Sequence, residues 1–348
     1  MIVAAGEVVA DLIEDPRRPG RFRFRPGGAP ANLAAQAARL GVGAALVARF
    51  GGDSLGVALR SALELQGVGL GLSGVGDEPT TTALVGGTPG DPRFVLYYEG
   101  TASARLSLPP SGALPWPSVS WLAVSGVALL WPQTADALRA LVRDARAHGV
   151  GIALDLNWRA GLAPDAASWR RALGEVAEAS HLIKGTAEEW ARWDATGPLG
   201  TTSCHLTTLG AAGARVVTTG GLGVDVGGVS IRPRSVVGAG DSFLGAVLAC
   251  LDARGMGPSE LGRLGSEDWE GLLAAGNTVA GMACGRVVPD WKNLPTAEAA
   301  RRHAAERTAA IRWLPEASEV PAGRSEGRCG ESEAGGRHGG TGSGVAGD

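Results

Sequence analysis

This chain is constrained most by an alternation. Short apolar, β-branched runs recur near 45 (ALVARF), 120 (SVSWLAVSG), 151 (GIALDLN), 181 (HLIKG) and 214 (ARVVTTG). Helical Ala/Leu patterns lie between them, as in ADALRALVRDARAHG (135–149) and ASWRRALGEVAEA (167–179). In the first helical pattern Leu138, Leu141 and Val142 share one face. Strands that alternate with helices predict an α/β fold with a mostly parallel sheet covered by helices on both faces. Such sheets bind ligands beyond the carboxyl ends of their strands.

Two regions break the alternation. RFRFR (21–25) has period two, with Phe22 and Phe24 on one side and Arg21, Arg23 and Arg25 on the other. TTALVGG (81–87) and RFVLYYEG (93–100) also read as half-exposed strands. They predict a small β-sheet beside the main domain, serving as a lid or dimer surface, or else extra edge strands of the main sheet. From Glu316 the chain is almost free of large apolar residues, which predicts a disordered tail over 316–348. A literal G-x-G-x-x-G at Gly342, Gly344 and Gly347 is no dinucleotide site, because no strand precedes it and no room is left for a helix.

With 348 residues and 45% hydrophobic content, the chain can build a substantial core. A net charge of −3 with no long basic run implies neither nucleic acid nor an anionic membrane as partner. The cysteines (Cys204, Cys250, Cys284, Cys329) lie far apart, and the histidines form no H-x-x-x-H pair. That argues against a disulfide framework and a zinc site and fits a reducing compartment. The start, MIVAAGEVVADLIE, lacks a basic n-region, and the longest apolar stretch (119–131) is shorter than the roughly 20 residues of a membrane span. A cytoplasmic location is expected.

Three segments carry chemistry. In IRPRSVVGAGDSFLGAV (231–247), Gly238, Ala239 and Gly240 stand directly before Asp241 and an apolar helical run. The first N–H groups of a helix are unpaired and partially positive, so such a turn holds anions. Two readings of Asp241 stay open. In one it caps the helix, a role worth about 1 kcal/mol. In the other it is the general base of a phosphoryl transfer, while Gly238 to Gly240 supply positive potential to the migrating group.

In PGGAPANLAAQAARLG (26–41), Gly27 and Gly28 permit close backbone approach and Pro30 suits a first helical turn. Leu33, Ala37 and Leu40 form a buried face, and Gly41 fits a C-terminal stop. Asn32 then lies in the first turn, either offering its amide to sugar hydroxyls or merely solvated. ALDLNWR (153–159) runs a strand into Asp155, Asn157 and Arg159, which line a ligand edge or shape the turn after the strand. The phosphate loop G-x-x-x-x-G-K-[ST] and the kinase loop H-R-D are both absent, so a kinase here is of another type.

In this order the segments resemble the ribokinase-like sugar kinases, the phosphofructokinase B family, in its fructokinase and 2-keto-3-deoxygluconate kinase branch. The likeness reaches to about residue 305. GEVVADLI (6–13) is similar to the amino-terminal strand that brings an Asp, here Asp11, to the sugar. GGAPANLAAQAARLG and VGAGDSFLGAVLA (237–249) are similar to the two family signatures. DLNWR resembles the D-x-N-x-R segment, and TLGAAG (208–213) the nucleotide loop T-L-G-x-x-G.

The resemblance implies a three-layer α/β/α core over 1–315, with a small β lid formed by segments at about 12–26 and 78–105. It implies transfer of the γ-phosphoryl group of ATP to a sugar hydroxyl, with Asp241 as base and Gly238, Ala239 and Gly240 as anion hole. Asp11, Gly27, Gly28 and Asn32 would hold the sugar. Lys184, Thr186, Thr208, Gly210, Gly213 and Asn277 would line the ATP site, and magnesium would arrive with ATP, held partly through water by Glu189. Arg159 can pair with a carboxylate through its planar fork, which favours 2-keto-3-deoxygluconate over fructose as acceptor.

The chain departs from the family at several positions. Ser235 and Val236 replace the usual Asp-Thr before the anion hole, which removes a carboxylate associated with monovalent-cation binding, so potassium activation is not implied. Thr186 stands where the N-x-x-E segment has Asn, and Tyr98 and Ser103 stand where fructokinases often carry Arg and Asp. The expected function is an ATP-dependent, fructokinase-like sugar kinase, with a homodimer through the lid. The alternatives are a 2-keto-3-deoxygluconate kinase, a non-catalytic sugar-binding member of the family and, less favoured, a nucleoside kinase.

Overall fold

Why the central sheet is so apolar follows from its two covered faces. In chain order the strands are β1 (Ile2–Ala5), β2 (Val9–Glu14), β3 (Phe22–Gly27), β4 (Ala44–Val47), β5 (Arg49–Gly51), β6 (Gly74–Gly76) and β7 (Thr82–Thr88). They continue with β8 (Asp91–Tyr97), β9 (Trp121–Ser125), β10 (Gly151–Asp155), β11 (Leu182–Thr186), β12 (Cys204–Thr208), β13 (Ala214–Thr218) and β14 (Gly223–Val226). The main sheet has the order β14-β13-β12-β11-β10-β9-β1-β4. Pairing is parallel from β4 to β12 and antiparallel at β13 and β14. Strands β1, β4, β9 and β10 are buried along their whole length, as parallel strands between two helical layers must be.

The structure is a computed structural model. It describes residues 1–316 apart from 16, 89–90, 111, 164, 195–203, 286–289 and 305–307. The tail expected over 316–348 therefore lies outside the described residues, Glu316 excepted.

The helices are α1 (Ala29–Arg39), α2 (Ser54–Glu64), α3 (Pro132–Ala147), α4 (Ala166–Ala179) and α5 (Ala187–Asp194). After them come α6 (Ala239–Ala253), α7 (Pro258–Leu261), α8 (Ser266–Cys284), α9 (Ala297–His303) and α10 (Thr308–Trp313). Strand alternation sorts side chains into two layers. Ile2, Ala4, Trp121 and Ala123 pack with α1, α6 and α8. Val3, Ala5, Leu122 and Val124 pack with α3 and α4. Helix α6 is buried at every position from Ser242 to Leu251, which explains its apolar sequence and fixes its start against the sheet.

The expected strands near 45, 120, 151, 181 and 214 are β4, β9, β10, β11 and β13. GEVVADLI is strand only from Val9, where β2 begins. The chain leaves the main sheet after β1, turns at Gly6 (φ 142°) and re-enters as β2 of a second sheet, so Asp11 comes from that sheet. The second sheet has the order β3-β2-β7-β8 and is separate from the main one, so these are not its edge strands. Its cross-strand row Phe24–Leu12–Leu84–Val95 lies on one face, and the row Arg25–Asp11–Ala83–Leu96 on the other. Phe22, Phe24, Val95 and Tyr97 are exposed. Among the described residues no helix is long and apolar enough to cross a membrane.

Candidate active site

The carboxyl ends of the central strands gather the polar residues. Ser125 stands opposite Asp155, Asp155 opposite Lys184, and Thr186 opposite Thr208. Helix α6 begins at this edge. Its N-cap, Gly238, has φ 78°, a left-handed conformation that glycine adopts without strain, and no side chain caps the helix. The N–H groups of its first turn have no partner within the helix, and that of Ala239 donates to Val236 O at 3.3 Å.

Lys184 supplies a full positive charge at the same place. A Cβ added to Gly240 would lie 2.6 Å from Lys184 Nζ, so the ammonium occupies the space beside the helix start that any side chain would fill. It donates to both Asp155 carboxylate oxygens at 3.0 Å, and both residues are buried. Burial disfavours the ammonium, but Asp155, Glu189 and Asp241 outweigh it and hold its pKa above the usual lysine range. Burial pushes Asp155 up, against the attraction of Lys184.

Asp241 sits in the first turn of α6 and accepts a hydrogen bond from Asn32 Nδ2 at 2.7 Å. Burial raises its pKa above the ordinary carboxylate range, opposed by Lys184, by the Asn32 hydrogen bond and by Arg159. A raised pKa strengthens a carboxylate as a base while leaving it able to ionise. The bond also joins the two signature segments, since Asn32 lies in the first turn of α1.

A cleft opens in front of this pair. Its lining includes Asp11, Ile13 and Arg25 from the small sheet, Asn32 and Gly238, and Trp291 from the far side. Asp11 lies against Gly27, where a Cβ would collide with its carboxylate. Burial pushes Asp11 up to about 7, against the nearby Arg25 guanidinium. Gly28, with φ 102°, packs on the backbone of Glu7 and Val8, and Glu7 Oε1 accepts the Ala29 N–H at 3.0 Å. Asp11, Gly27, Gly28, Asn32 and Asp241 are therefore brought together.

The expected ATP residues form a second group. Thr208 ends β12, and Asn277 on α8 donates to the carbonyls of Val226 and Gly227 at 3.1 and 3.3 Å. Gly213 packs against the same 226–228 backbone, whereas nothing lies within 4 Å of a Cβ built on Gly210. Asn277 thus braces the wall of this region by holding its backbone.

Thr186 and Glu189 form a reciprocal cap on α5. Thr186 Oγ1 accepts the Glu189 N–H at 3.2 Å, and Glu189 Oε2 accepts the Thr186 N–H at 2.9 Å. Thr186 therefore serves as a helix cap in the place where the family usually has Asn. Glu189 Oε1 accepts the Trp158 N–H at 2.9 Å, so both carboxylate oxygens are engaged while each keeps one lone pair. Among the described residues no cluster of three or more His, Cys, Asp or Glu side chains could hold a metal directly. This donor set fits a hydrated magnesium carried by phosphates, with Glu189 reaching it through water.

Arg159 Nη1 donates to Trp158 O and lies 3.5 Å from Glu189 Oε1, and its charge acts on Asp241. The guanidinium that lines the cleft is Arg25. Tyr98 and Ser103 do structural work, Tyr98 donating to Leu162 O at 3.0 Å and Ser103 Oγ to Val8 O at 2.9 Å. Ser235 Oγ accepts the Val237 N–H at 3.3 Å, and Val236 is exposed. Glu7, Arg25 and Trp291 were missed by sequence reasoning. The period-two run RFRFR carried a signal for Arg25, Glu7 lies in GEVVADLI, which was read only for Asp11, and Trp291 belongs to no motif read from the sequence.

Comparison with known proteins agrees with this fold. The chain is 30% identical over 288 residues to a fructokinase of Klebsiella pneumoniae, covering 80% of this chain and 91% of that protein. The fold matches a fructokinase of Xylella fastidiosa solved with bound ATP, at TM-score 0.77 and 21% identity, covering 88% of this chain and 98% of that one. It also matches a sugar kinase of Pyrococcus horikoshii at TM-score 0.75 and 23% identity, over 90% and 99% of the two chains. The family model of the pfkB family carbohydrate kinases matches residues 1–290. With the helix start, the lysine and the acceptor cleft in place, the chain belongs to the pfkB family of carbohydrate kinases.

Proposed function

We propose that this ATP-dependent sugar kinase acts on a ketohexose of the fructose type. The observation that carries the reading is the 2.7 Å bond from Asn32 to Asp241, which sets the base of the phosphate-binding helix beside the acceptor cleft. An acceptor hydroxyl held by Asp11 and Asn32 loses its proton to Asp241 as its oxygen attacks the γ-phosphorus of ATP. The bond from that phosphorus to the bridging oxygen breaks, and ADP leaves. The N–H groups of Gly238 to Gly240 and the Lys184 ammonium face the negative charge of the moving phosphoryl group.

Magnesium bound to ATP and, through water, to Glu189 would neutralise part of that charge. The fructokinase relatives favour fructose over an acid acceptor. The small sheet fits a lid, since its Asp11 and Arg25 face lines the cleft. Its exposed Phe22, Phe24 and Val95 support a homodimer through the outer face.

Asp241→Asn tests the role of the base. The substitution is expected to lower kcat about 100-fold or more while fructose affinity, measured by calorimetry, stays within about threefold. An unchanged kcat would show that Asp241 is not the base.

A further inference from the structure

Trp291 closes a hydrogen-bonded chain that ends on the catalytic carboxylate. Its indole Nε1 donates to Asn32 Oδ1 at 2.7 Å, and Asn32 Nδ2 donates to Asp241 Oδ2 at 2.7 Å. An indole N–H can only donate, and an ionised carboxylate can only accept. These two one-way partners leave the Asn32 amide a single orientation, with oxygen toward Trp291 and nitrogen toward Asp241. Reversing the amide would set its oxygen against the carboxylate and its N–H₂ against the indole N–H.

Trp291 is itself held in place. It is 2% exposed, within the short helical turn Trp291–Asn293. The segment that follows is fastened to α1 by Gln36 Nε2, which donates to Pro295 O at 3.0 Å, and by Arg39 to Leu294 O.

We propose that Trp291 is a positioning residue of the catalytic base: its indole N–H fixes the Asn32 amide so that the amide nitrogen always points at Asp241. The assignment rests on Asp241 being the base. Losing the indole donor lets the amide turn over, and in the turned state Asp241 loses the hydrogen bond that favours its ionised form. The charged groups acting on Asp241 from other elements are unchanged by this. They are Lys184, Arg159, Asp155, Glu189, Glu7 and Asp11.

The test is Trp291→Phe, which keeps the aromatic bulk and removes the donor. The acid limb of the kcat/KM profile with fructose is expected to move to higher pH, so that the loss is about tenfold near pH 6 and about twofold near pH 8. Carbon-13 carboxyl NMR, with Asp241 assigned through Asp241→Asn, should show Asp241 titrating at higher pH in the Trp291→Phe protein, a readout that does not depend on turnover. In an Asn32→Ala background, Trp291→Phe should change kcat/KM by less than about twofold, because it acts through Asn32. Equal losses at all pH values, or losses that add in the double variant, would overturn the proposal.

If Trp291→Phe does not fold, the Trp291 indole proton is followed by nitrogen-15 NMR in the folded Asn32→Ala protein. It should move upfield and exchange faster, and an unmoved resonance would overturn the proposal. Should Asp241→Asn leave kcat unchanged, the NMR shifts would still report the orientation while the catalytic reading fails, so the two failures are distinguishable.

Discussion

Helices α1 and α6 both start on a glycine with positive φ, 102° at Gly28 and 78° at Gly238, and neither carries a side-chain cap of its own. What the fold sets in front of them differs. At α1 the first N–H is taken by the buried Glu7, and Gly28 is pressed on the backbone of Glu7 and Val8. At α6 the first turn faces the Lys184 ammonium and an open cleft. One local device thus yields an internal joint in one place and, in the function proposed, an anion site in the other. The helix start provides partial positive charge in both, and the surrounding residues decide whether a protein carboxyl or a phosphate receives it.

Substitution at the two starts should separate these roles. Gly28→Ala puts a side chain in a disfavoured conformation with its Cβ 2.5 Å from the Glu7 carbonyl oxygen. The expected result is a loss of about 3 kcal/mol in urea unfolding. Gly240→Ala meets only the end of the Lys184 side chain, with its Cβ 2.6 Å from Nζ. It should stay within about 1 kcal/mol of the parent in stability and lose about 10- to 100-fold in kcat, because Lys184 is moved from the phosphate site. A stable Gly28→Ala protein, or an unfolded Gly240→Ala protein, would break the comparison.

A further test concerns the carboxyl at the closed joint. Burial pushes Glu7 up to about 8 from an ordinary value of 4.5, with Asp241 and Asp155 adding to the shift, while the hydrogen bonds from its own N–H and Ala29 oppose it. As pH rises past 4.5 the unfolded chain releases this proton and the folded chain keeps it, so stability falls until about pH 8 and then levels off. Glu7→Gln keeps an acceptor for the Ala29 N–H and carries no charge. Its Tm should equal that of the parent near about pH 4 and exceed it by a few degrees above about pH 8. A constant gap across that range would mean that Glu7 does not titrate between the two states.

The same contrast explains what was legible in the sequence. The alternation marked five main-sheet strands, and the period of RFRFR marked the small sheet with its arginine and phenylalanine faces. The start of α6 was legible because the need for small residues before a helix is local. Its partners were not, since Asn32 and Asp241 lie 209 residues apart and Trp291 and Asn32 lie 259 apart. No spacing rule joins such positions, and Trp291 sits in no motif.

Arg159 shows the limit in another form. D-x-N-x-R marks a strand end correctly, but Asn157 adopts φ 38° and Arg159 lies 3.5 Å from Glu189, a neighbour the motif does not announce. Strand β2 is a similar case. Gly6 and Glu7 interrupt the apolar run, but nothing local shows that the turn at Gly6 places Asp11 in a different sheet from β1.

The account stands most directly on the open helix start receiving ATP opposite a sugar. ADP release, measured with ATP and magnesium over fructose, ribose, 2-keto-3-deoxygluconate and adenosine, tests it in one experiment. The predicted result is the highest kcat/KM with fructose and little ADP release without any sugar. No turnover with any of the four, while fructose still binds by calorimetry, would contradict it.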